Sequence, residues 1–361
     1  MKRICIYPRV ESMGGVGSFR IKFAEGLKSR GIEVSYDLDD PHVDLILLLA
    51  GTRNLAGLQR ARQRGVPIIQ RLDGINWVQR VRWTGFRYHI RAEYGNAALA
   101  FIRRRFADGV VYQSKFTQRW WEDWYKETRV LKTVIHNAVD LDMYSPKLVI
   151  ASEAKQSPSV KAETAASGYR PPRSDKVDKH RILLVEGSLA GGLDVGLRWG
   201  VELAETLADI LPTELLVVGR VDEHRKAEIL ANAKVDIQFL GVVPRKSIPD
   251  IDRSAQLYFS AEANPPCPNA VIEALACGLP VLGFDTGSLA ELVPPSAGRT
   301  VAYGANEWKL AQPDIPALAE AALEILANRA EFSAGARKHA EENLGLDLMV
   351  DKYLSFMEKF L

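Results

Sequence analysis

The sequence predicts an α/β protein made of two doubly wound, parallel-sheet domains, and three observations carry that expectation. Short apolar, β-branched runs alternate with helix-period segments along most of the chain. At 361 residues the chain is longer than a single hydrophobic core usually serves, so two domains of roughly 150 to 180 residues are expected. The alternation breaks once, after Tyr144-Ser145-Pro146, into a stretch rich in Ser, Ala, Lys and Pro that reads as a linker with a mobile insertion over 147–179.

The elements follow in order. RICIY, IEVSYD, VDLILLLA, VPIIQRL, GVVYQS and TVIHN read as strands of one sheet, and their nearly continuous apolar character suits a sheet covered on both faces. Between them, FRIKFAEGLKSRG places Phe19, Phe23 and Leu27 at helical spacing and stops at Gly31, while NLAGLQRARQRG stops at Gly65. Strand, helix and strand in succession imply right-handed crossovers. Strand signals resume at RILLVEG, ELLVVG, IQFLG, AQLYFS, PVLGFD and RTVAY, with helices at LRWGVELAETLADIL, over 268–278 and at IPALAEAALEILANRAEF. The tail LMVDKYLSFMEKFL is an amphipathic helix. The expected organisation is 1–146, the linker, and 180–345, with 346–361 as a final helix.

Composition excludes several classes. With 47 basic and 45 acidic residues the net charge is +2, which argues against nucleic acid as a partner. Cys5, Cys267 and Cys277 form neither a CxxC pair nor a Cys/His cluster, so no disulfide framework or zinc site is indicated and a reducing cytoplasm fits. MKRICIYPRV lacks a signal-like apolar core, and VDLILLLAG falls short of the roughly 20 residues needed to span a bilayer. A soluble or peripheral protein is expected, with no metal and no cofactor.

The stretch Ala261–Val293 holds the most chemistry. A helix starting at Pro268-Asn269 is stopped by Gly278 and Pro280, and the strand PVLGFD then opens into Thr286-Gly287-Ser288. The amino end of such a helix beside a Gly/Ser loop attracts anions through unpaired N–H groups and the helix dipole, and the carboxylate of Glu273 suits the hydroxyls of a ribose. That is the chemistry of a bound nucleotide diphosphate. Gly14-Gly15-Val16-Gly17, between the first strand and the first helix, allows close backbone approach to a phosphate or a sugar, or serves as a plain turn. An NAD-linked oxidoreductase is a rival, although the spacing is GGxG rather than GxGxxG and only the Asp37/Asp39/Asp40 group offers the acidic partner.

PNAVIEALACGLPV followed by GSLAELV resembles the donor-site signature of retaining glycosyltransferases of the GT-B fold, family-4 type. GGVGSF, VIHNAVDLDMYSP, LLVEGS, LLVVGRV and IQFLGVVPRKSIPDIDRSAQLYFS fall in that family's order. The resemblance implies two Rossmann-like domains facing each other across a cleft, the last helix returning to the first domain, and metal-independent transfer of a hexosyl unit from a UDP- or GDP-linked sugar to a glycan or lipid-linked acceptor. It also implies that Glu273 holds the ribose, that Gly15, Gly17, Gly187 and Ser188 lie by the diphosphate, that Val242 and Val243 receive the base through their backbone, and that Pro268, Asn269 and Ala270 form the helix entrance. Asn137 would fix a turn.

The sequence departs from this pattern in two places. Pro265 stands where the family has an acid that contacts the sugar, leaving Asn264 or Glu262 as substitutes, and Ser188 and Gly191 or Gly192 replace an Arg and a Lys that neutralise the diphosphate. Backbone amides of Gly187–Gly192 would supply part of the missing positive charge, and Arg220 or Arg245-Lys246 either supply the rest or are solvated surface charges. A weakened, nucleotide- or glycan-binding relative is therefore the alternative. Asp73 falls near the family's acceptor-side His and would orient or deprotonate an acceptor hydroxyl, or else cap a helix beginning near Ile75.

In WVQRVRWTGFRYHIRAEYGNAALAFIRRRF, Arg80, Arg82, Arg87, Arg91, Arg103, Arg104 and Arg105 interleave with Trp77, Trp83, Phe86, Tyr88 and Phe101, opposed only by Glu93. Arg80, Arg82, Trp83 and Arg87 are expected on a face for the acceptor or for an anionic membrane surface. An ordinary packed helix, or an anion site for a soluble phosphorylated acceptor, are the other readings.

Overall fold

The computed structural model describes residues 1–10, 15–146, 179–189 and 194–361. The expected insertion over 147–178, Gly14, Gly191 and Gly192 lie outside the described residues. The chain divides into two units, the first comprising Met1–Ala138, Asn264–Asn269 and Asn343–Leu361, the second Val139–Ala263 and Ala270–Glu342.

In the first unit β1 (Arg3–Tyr7), β2 (Glu33–Ser35), β3 (Leu45–Leu49), β4 (Ile68–Leu72), β5 (Gly109–Tyr112) and β6 (Leu131–Val134) form one parallel sheet in the order β2-β1-β3-β4-β5-β6. Every residue of β3, β4 and β5 is buried, as a sheet with two covered faces requires. Helices α1 (Gly15–Lys28), α2 (Leu55–Gln63), α3 (Phe86–Arg105) and α4 (Lys115–Tyr125) connect the strands. Asn54 caps α2 by accepting the Gly57 N–H at 2.9 Å. The last expected strand, TVIHN, is displaced: β6 ends at Val134, because the Asn137 N–H leaves the ladder for Cys267 Sγ at 3.3 Å.

The final helix, Leu346–Met357, packs on α1. Phe19 and Phe23 stack 5.3 Å apart, Tyr353 tilts against both rings at 5.4 and 5.0 Å, and Arg30 bonds Asp347 and Asp351 at 3.0 and 2.9 Å. A Cβ at Gly26 would lie 2.5 Å from Val350 Cγ2, so the absent side chain sets how closely the two helices approach.

In the second unit β7 (His180–Ser188), β8 (Thr213–Arg220), β9 (Asp236–Gly241), β10 (Leu257–Phe259), β11 (Val281–Phe284) and β12 (Gly298–Val301) form a parallel sheet in the order β12-β11-β10-β7-β8-β9. Its helices are α5 (Val195–Ala208), α6 (Glu223–Asn232), α7 (Ile248–Ser254), α8 (Asn269–Ala276), α9 (Leu289–Leu292), α10 (Ile315–Ala327) and α11 (Arg329–Asn343). Trp199, Phe284 and Tyr303 meet edge to face with centroids 4.9 to 5.8 Å apart.

Two glycines fix the strand ends. Gly219 has φ +136°, and a Cβ there would fall 1.8 Å from the Glu186 carbonyl oxygen, so β7 and β8 run together up to their carboxyl ends only with glycine at this position. A Cβ at Gly196 would lie 2.0 Å from the Ala261 carbonyl, so the first turn of α5 rests directly on the backbone that follows β10. Among the described residues no helix is long and apolar enough to cross a membrane, no group of three or more His, Cys, Asp or Glu could hold a metal, and the three cysteines are buried thiols.

Candidate functional site

Ligand sites of open α/β sheets lie beyond the carboxyl ends of the strands. In the second unit those ends carry Glu186-Gly187, Arg220, Gly241-Val242-Val243, Ser260 to Glu262, and Thr286-Gly287-Ser288. The short helix α8 owes its sharp stop to local chemistry. Gly278 takes φ +71°, and the N–H groups of Gly278 and Leu279 bond the carbonyls of Leu275 and Ala274 at 3.0 and 2.9 Å. Arg337 donates to the Ala276 carbonyl at 2.8 Å and to Tyr144 O at 2.7 Å, placing a cation at the negative pole of α8.

Glu273, one turn into α8, is only 9% exposed. Its charge is felt by two buried neighbours. Burial and, second, Glu273 hold Asp252 well above the usual carboxylate range and push the Tyr144 hydroxyl upward. A carboxylate in so dry a setting gains most from a ligand that brings its own O–H donors. Nearby strand ends add buried hydroxyls without partners: Ser260 Oγ after β10, and Thr286 Oγ1 and Ser288 Oγ after β11. Ser260 was not among the residues expected from sequence, and nothing in the motif AQLYFS distinguishes it.

Ser188 on β7 pairs in register with Arg220 on β8, and the Leu189 N–H bonds the Arg220 carbonyl at 2.8 Å. Arg220, at the end of β8, is exposed. Arg245, in the 3₁₀ turn Arg245–Ser247, lies instead beside the Tyr144 hydroxyl. Gly187 is exposed with open space where a Cβ would be, and Val242 is exposed with Val243 partly covered.

Burial and, second, the charge of Glu262 push Glu186 up to about 8. Because the folded value lies above the unfolded one, the stability this group contributes is fully present below about pH 4.3 and is lost as pH rises through about 8. Glu186→Gln is expected to flatten the fall in thermal midpoint between mildly acidic and mildly alkaline buffer. Wild type and variant falling in parallel would contradict the assignment.

In the first unit a closed polar network stands at the carboxyl ends of β4, β5 and β6. Arg71, fully buried, has its guanidinium over the Phe19 ring at 4.0 Å and donates to Asp73 Oδ1 at 2.5 Å and Asn137 Oδ1 at 2.7 Å. Asn137 Nδ2 donates in turn to Gln113 Oε1 at 3.1 Å and Cys267 O at 3.0 Å, and Gln113 Nε2 closes the ring on Asp73 Oδ1. Trp121 Nε1 bonds the Asp73 carbonyl at 2.7 Å. Asp73 therefore caps no helix: the next helical residues are the 3₁₀ turn Val78–Arg80, preceded by Trp77. Its carboxylate is held instead by Arg71 and Gln113. Arg71 and Gln113 were not expected from sequence, although a charged residue inside the buried run VPIIQRL was a signal.

The same unit anchors the Asn264–Asn269 loop. Ser114 Oγ and Thr117 Oγ1 donate to the Pro266 carbonyl at 2.7 and 3.2 Å, and a Cβ on Gly74 would lie 3.1 Å from Pro266. Asn264 is buried and its Nδ2 has no partner, whereas Glu262 is exposed. Pro268, Asn269 and Ala270 are partly buried, and a Cβ on Gly15 would sit 3.7 Å from Asn269 Nδ2. Gly15 is exposed and Gly17 buried.

The basic, aromatic stretch needs three corrections. Arg103 is buried and serves the interior, donating to Tyr112 Oη at 3.1 Å and to the Tyr125 and Lys126 carbonyls at 2.9 and 2.6 Å. Arg80 is pinned by Glu93 at 2.6 and 2.7 Å and lies over the Trp124 ring, so it is not a loose surface cation. Trp77 is likewise buried. Trp83 and Arg87 are exposed and Arg82 is partly covered.

Residues 181–328 match the family model described as Glycosyl transferases group 1. Among solved structures the chain is similar to sucrose-phosphate synthase from Thermosynechococcus elongatus, with TM-score 0.71, 17% identity and 99% of each chain covered. It is also similar to Anabaena HepE solved with UDP-glucose, with TM-score 0.67, 14% identity, and coverage of 99% of this chain and 100% of that one. A glycosyltransferase from Rickettsia africae gives TM-score 0.65 and 17% identity over 99% and 98%. No curated protein matches the chain. At these identities the likeness is one of fold, and the chain has the two-domain α/β GT-B fold, each domain with its six-stranded parallel sheet.

Proposed function

We propose that the protein is a retaining glycosyltransferase that moves a hexosyl unit from a UDP- or GDP-linked sugar to an acceptor hydroxyl, in polysaccharide or lipid-linked glycan assembly. The observation that carries this reading is Glu273, a buried carboxylate on α8 within the stretch that matches the Glycosyl transferases group 1 model. HepE, solved with UDP-glucose and with UDP and glucose, supports a nucleotide-sugar donor.

In this proposal Glu273 accepts hydrogen bonds from the ribose hydroxyls, and the amino end of α8 and the amides around Gly187 bind the diphosphate. As the bond from the anomeric carbon to the phosphate oxygen breaks, charge grows on the departing diphosphate, and Arg220 offsets it. The acceptor oxygen bonds the anomeric carbon on the face the phosphate leaves, and the acceptor proton passes to the departing phosphate oxygen. Asn264, with an unused donor, is assigned a sugar hydroxyl, and Asp73, oriented by Arg71 and Gln113, is assigned the acceptor hydroxyl.

A panel of nucleotide sugars screened by thermal shift, followed by turnover with NMR of the anomeric product, tests the reading. Stabilisation by UDP- or GDP-sugars and a product of unchanged anomeric configuration are expected. NAD binding, an inverted product, or nucleotide binding without turnover would each contradict it. Arg220→Gln is expected to cost about tenfold or more in kcat, the worth of one hydrogen bond to a charged group, while uridine affinity stays as in wild type. Unchanged kcat would remove Arg220 from the mechanism.

A further inference from the structure

Helix α3 buries little apolar surface for its length. Its buried residues are Ala92, Asn96, Ala100, Ile102 and Arg103, of which only Ile102 is a large apolar side chain. Asn96 is tied by its side chain to the backbone of Asn76, accepting at 3.0 Å and donating at 2.8 Å, and Arg103 serves the carbonyls described above. The opposite face carries Phe86, Ile90, Tyr94 and Phe101, which are 67, 52, 64 and 49% exposed. Their spacing along the helix keeps them on one solvent-facing stripe. Trp83, just before the helix, is 83% exposed. A water-soluble helix reverses this arrangement, so the stripe points to an apolar partner.

The charges around the stripe say which partner. Arg87, Arg91, Arg104 and Arg105 flank it and are exposed, and among the described residues none of the four has an ion pair. The one acid of the segment, Glu93, is neutralised by Arg80, whose hydrogen bond holds it at about 2. Phe101, Arg104 and Arg105 also line a shallow depression with Ala97, Ala100 and Tyr125. Aromatic side chains with an aliphatic one between them, edged by arginines and empty of free acids, match the boundary between acyl chains and anionic headgroups. A second copy of the stripe would set arginine against arginine, and a soluble phosphorylated acceptor would leave the apolar side chains in water.

We propose that α3 and the turn before it dock on an anionic phospholipid bilayer, with Trp83, Phe86, Ile90, Tyr94 and Phe101 in the interface and Arg87, Arg91, Arg104 and Arg105 among the phosphates. The inference stands on the surface alone and does not depend on the glycosyl-transfer reading.

The test is co-sedimentation of the full chain with vesicles of pure phosphatidylcholine and of phosphatidylcholine mixed with phosphatidylglycerol, at low and high salt. Binding to the anionic vesicles that weakens with salt is expected, with little on pure phosphatidylcholine. Arg87→Gln with Arg91→Gln, and separately Phe86→Ser with Tyr94→Ser, should each weaken binding about tenfold or more without lowering the thermal midpoint, since all four side chains are exposed. Three results would overturn the proposal: no binding to anionic vesicles at low salt, equal binding to both vesicle types, or concentration-dependent self-association of the chain that the Phe86/Tyr94 variant abolishes.

Discussion

Glu273→Gln is expected to weaken UDP or GDP binding and to lower kcat/KM by about 100-fold, the upper range for one partner of a buried, charge-assisted hydrogen-bond pair. The substitution keeps shape and removes charge. Glu273 is buried on a helix whose neighbouring side chains, Val271, Ile272, Ala274 and Leu275, are also buried, so an isosteric amide leaves the packing intact. The variant should in fact be slightly more stable when empty, because a buried charge is replaced by a neutral amide. Loss of donor affinity together with unchanged or higher thermal stability is the signature of a ligand-binding carboxylate. A variant that binds nucleotide as wild type does, or that fails to fold, would assign Glu273 to structure instead.

The second large effect belongs to the first unit. Arg71→Met is expected to destabilise the protein by about 3–5 kcal/mol, the usual consequence of breaking a buried ion pair from one side. Asp73 would keep only Gln113 for its carboxylate, and Asn137 Oδ1 would lose its donor. Arg71→Lys should not rescue it, since one ammonium cannot reach Asp73 and Asn137 in the planar, two-armed geometry of the guanidinium stacked on Phe19. Adding Asp73→Asn to Arg71→Met should cost less than the two changes summed, because the stranded charge is gone. Urea unfolding of wild type, the three single variants and the double variant measures this. A loss below about 0.5 kcal/mol for Arg71→Met would show that the network adds nothing.

The parts of this molecule legible in the sequence are those whose cause is local. The halt of α8 follows from Gly278 in a positive-φ cap, and the strands VDLILLLA and PVLGFD follow from runs apolar on both faces. Glu273 could be singled out because its helix, loop and strand lie within one continuous stretch. The network around Asp73 could not, because its members arrive from three strand ends and a loop far apart in the chain: Arg71, Gln113, Asn137 and Cys267. Sequence left Asp73 between catalysis and capping for the same reason. In α3, counting arginines and aromatics did not separate the side chains that face outward from those that face inward. Arg103 turns inward and Arg80 is paired, whereas Ile90 and Tyr94 complete the outward stripe, and only knowledge of the buried face separates them.

The central claim is that Glu273 grips the ribose of a nucleotide diphosphate. Titration calorimetry of UDP and 2′,3′-dideoxy-UDP, and of the corresponding GDP pair, against wild type and Glu273→Gln tests it most directly. The account predicts that wild type prefers the hydroxylated form of its nucleotide by about tenfold or more and that the preference vanishes in the variant. An equal preference in both proteins, or no binding of either diphosphate to wild type, would contradict it.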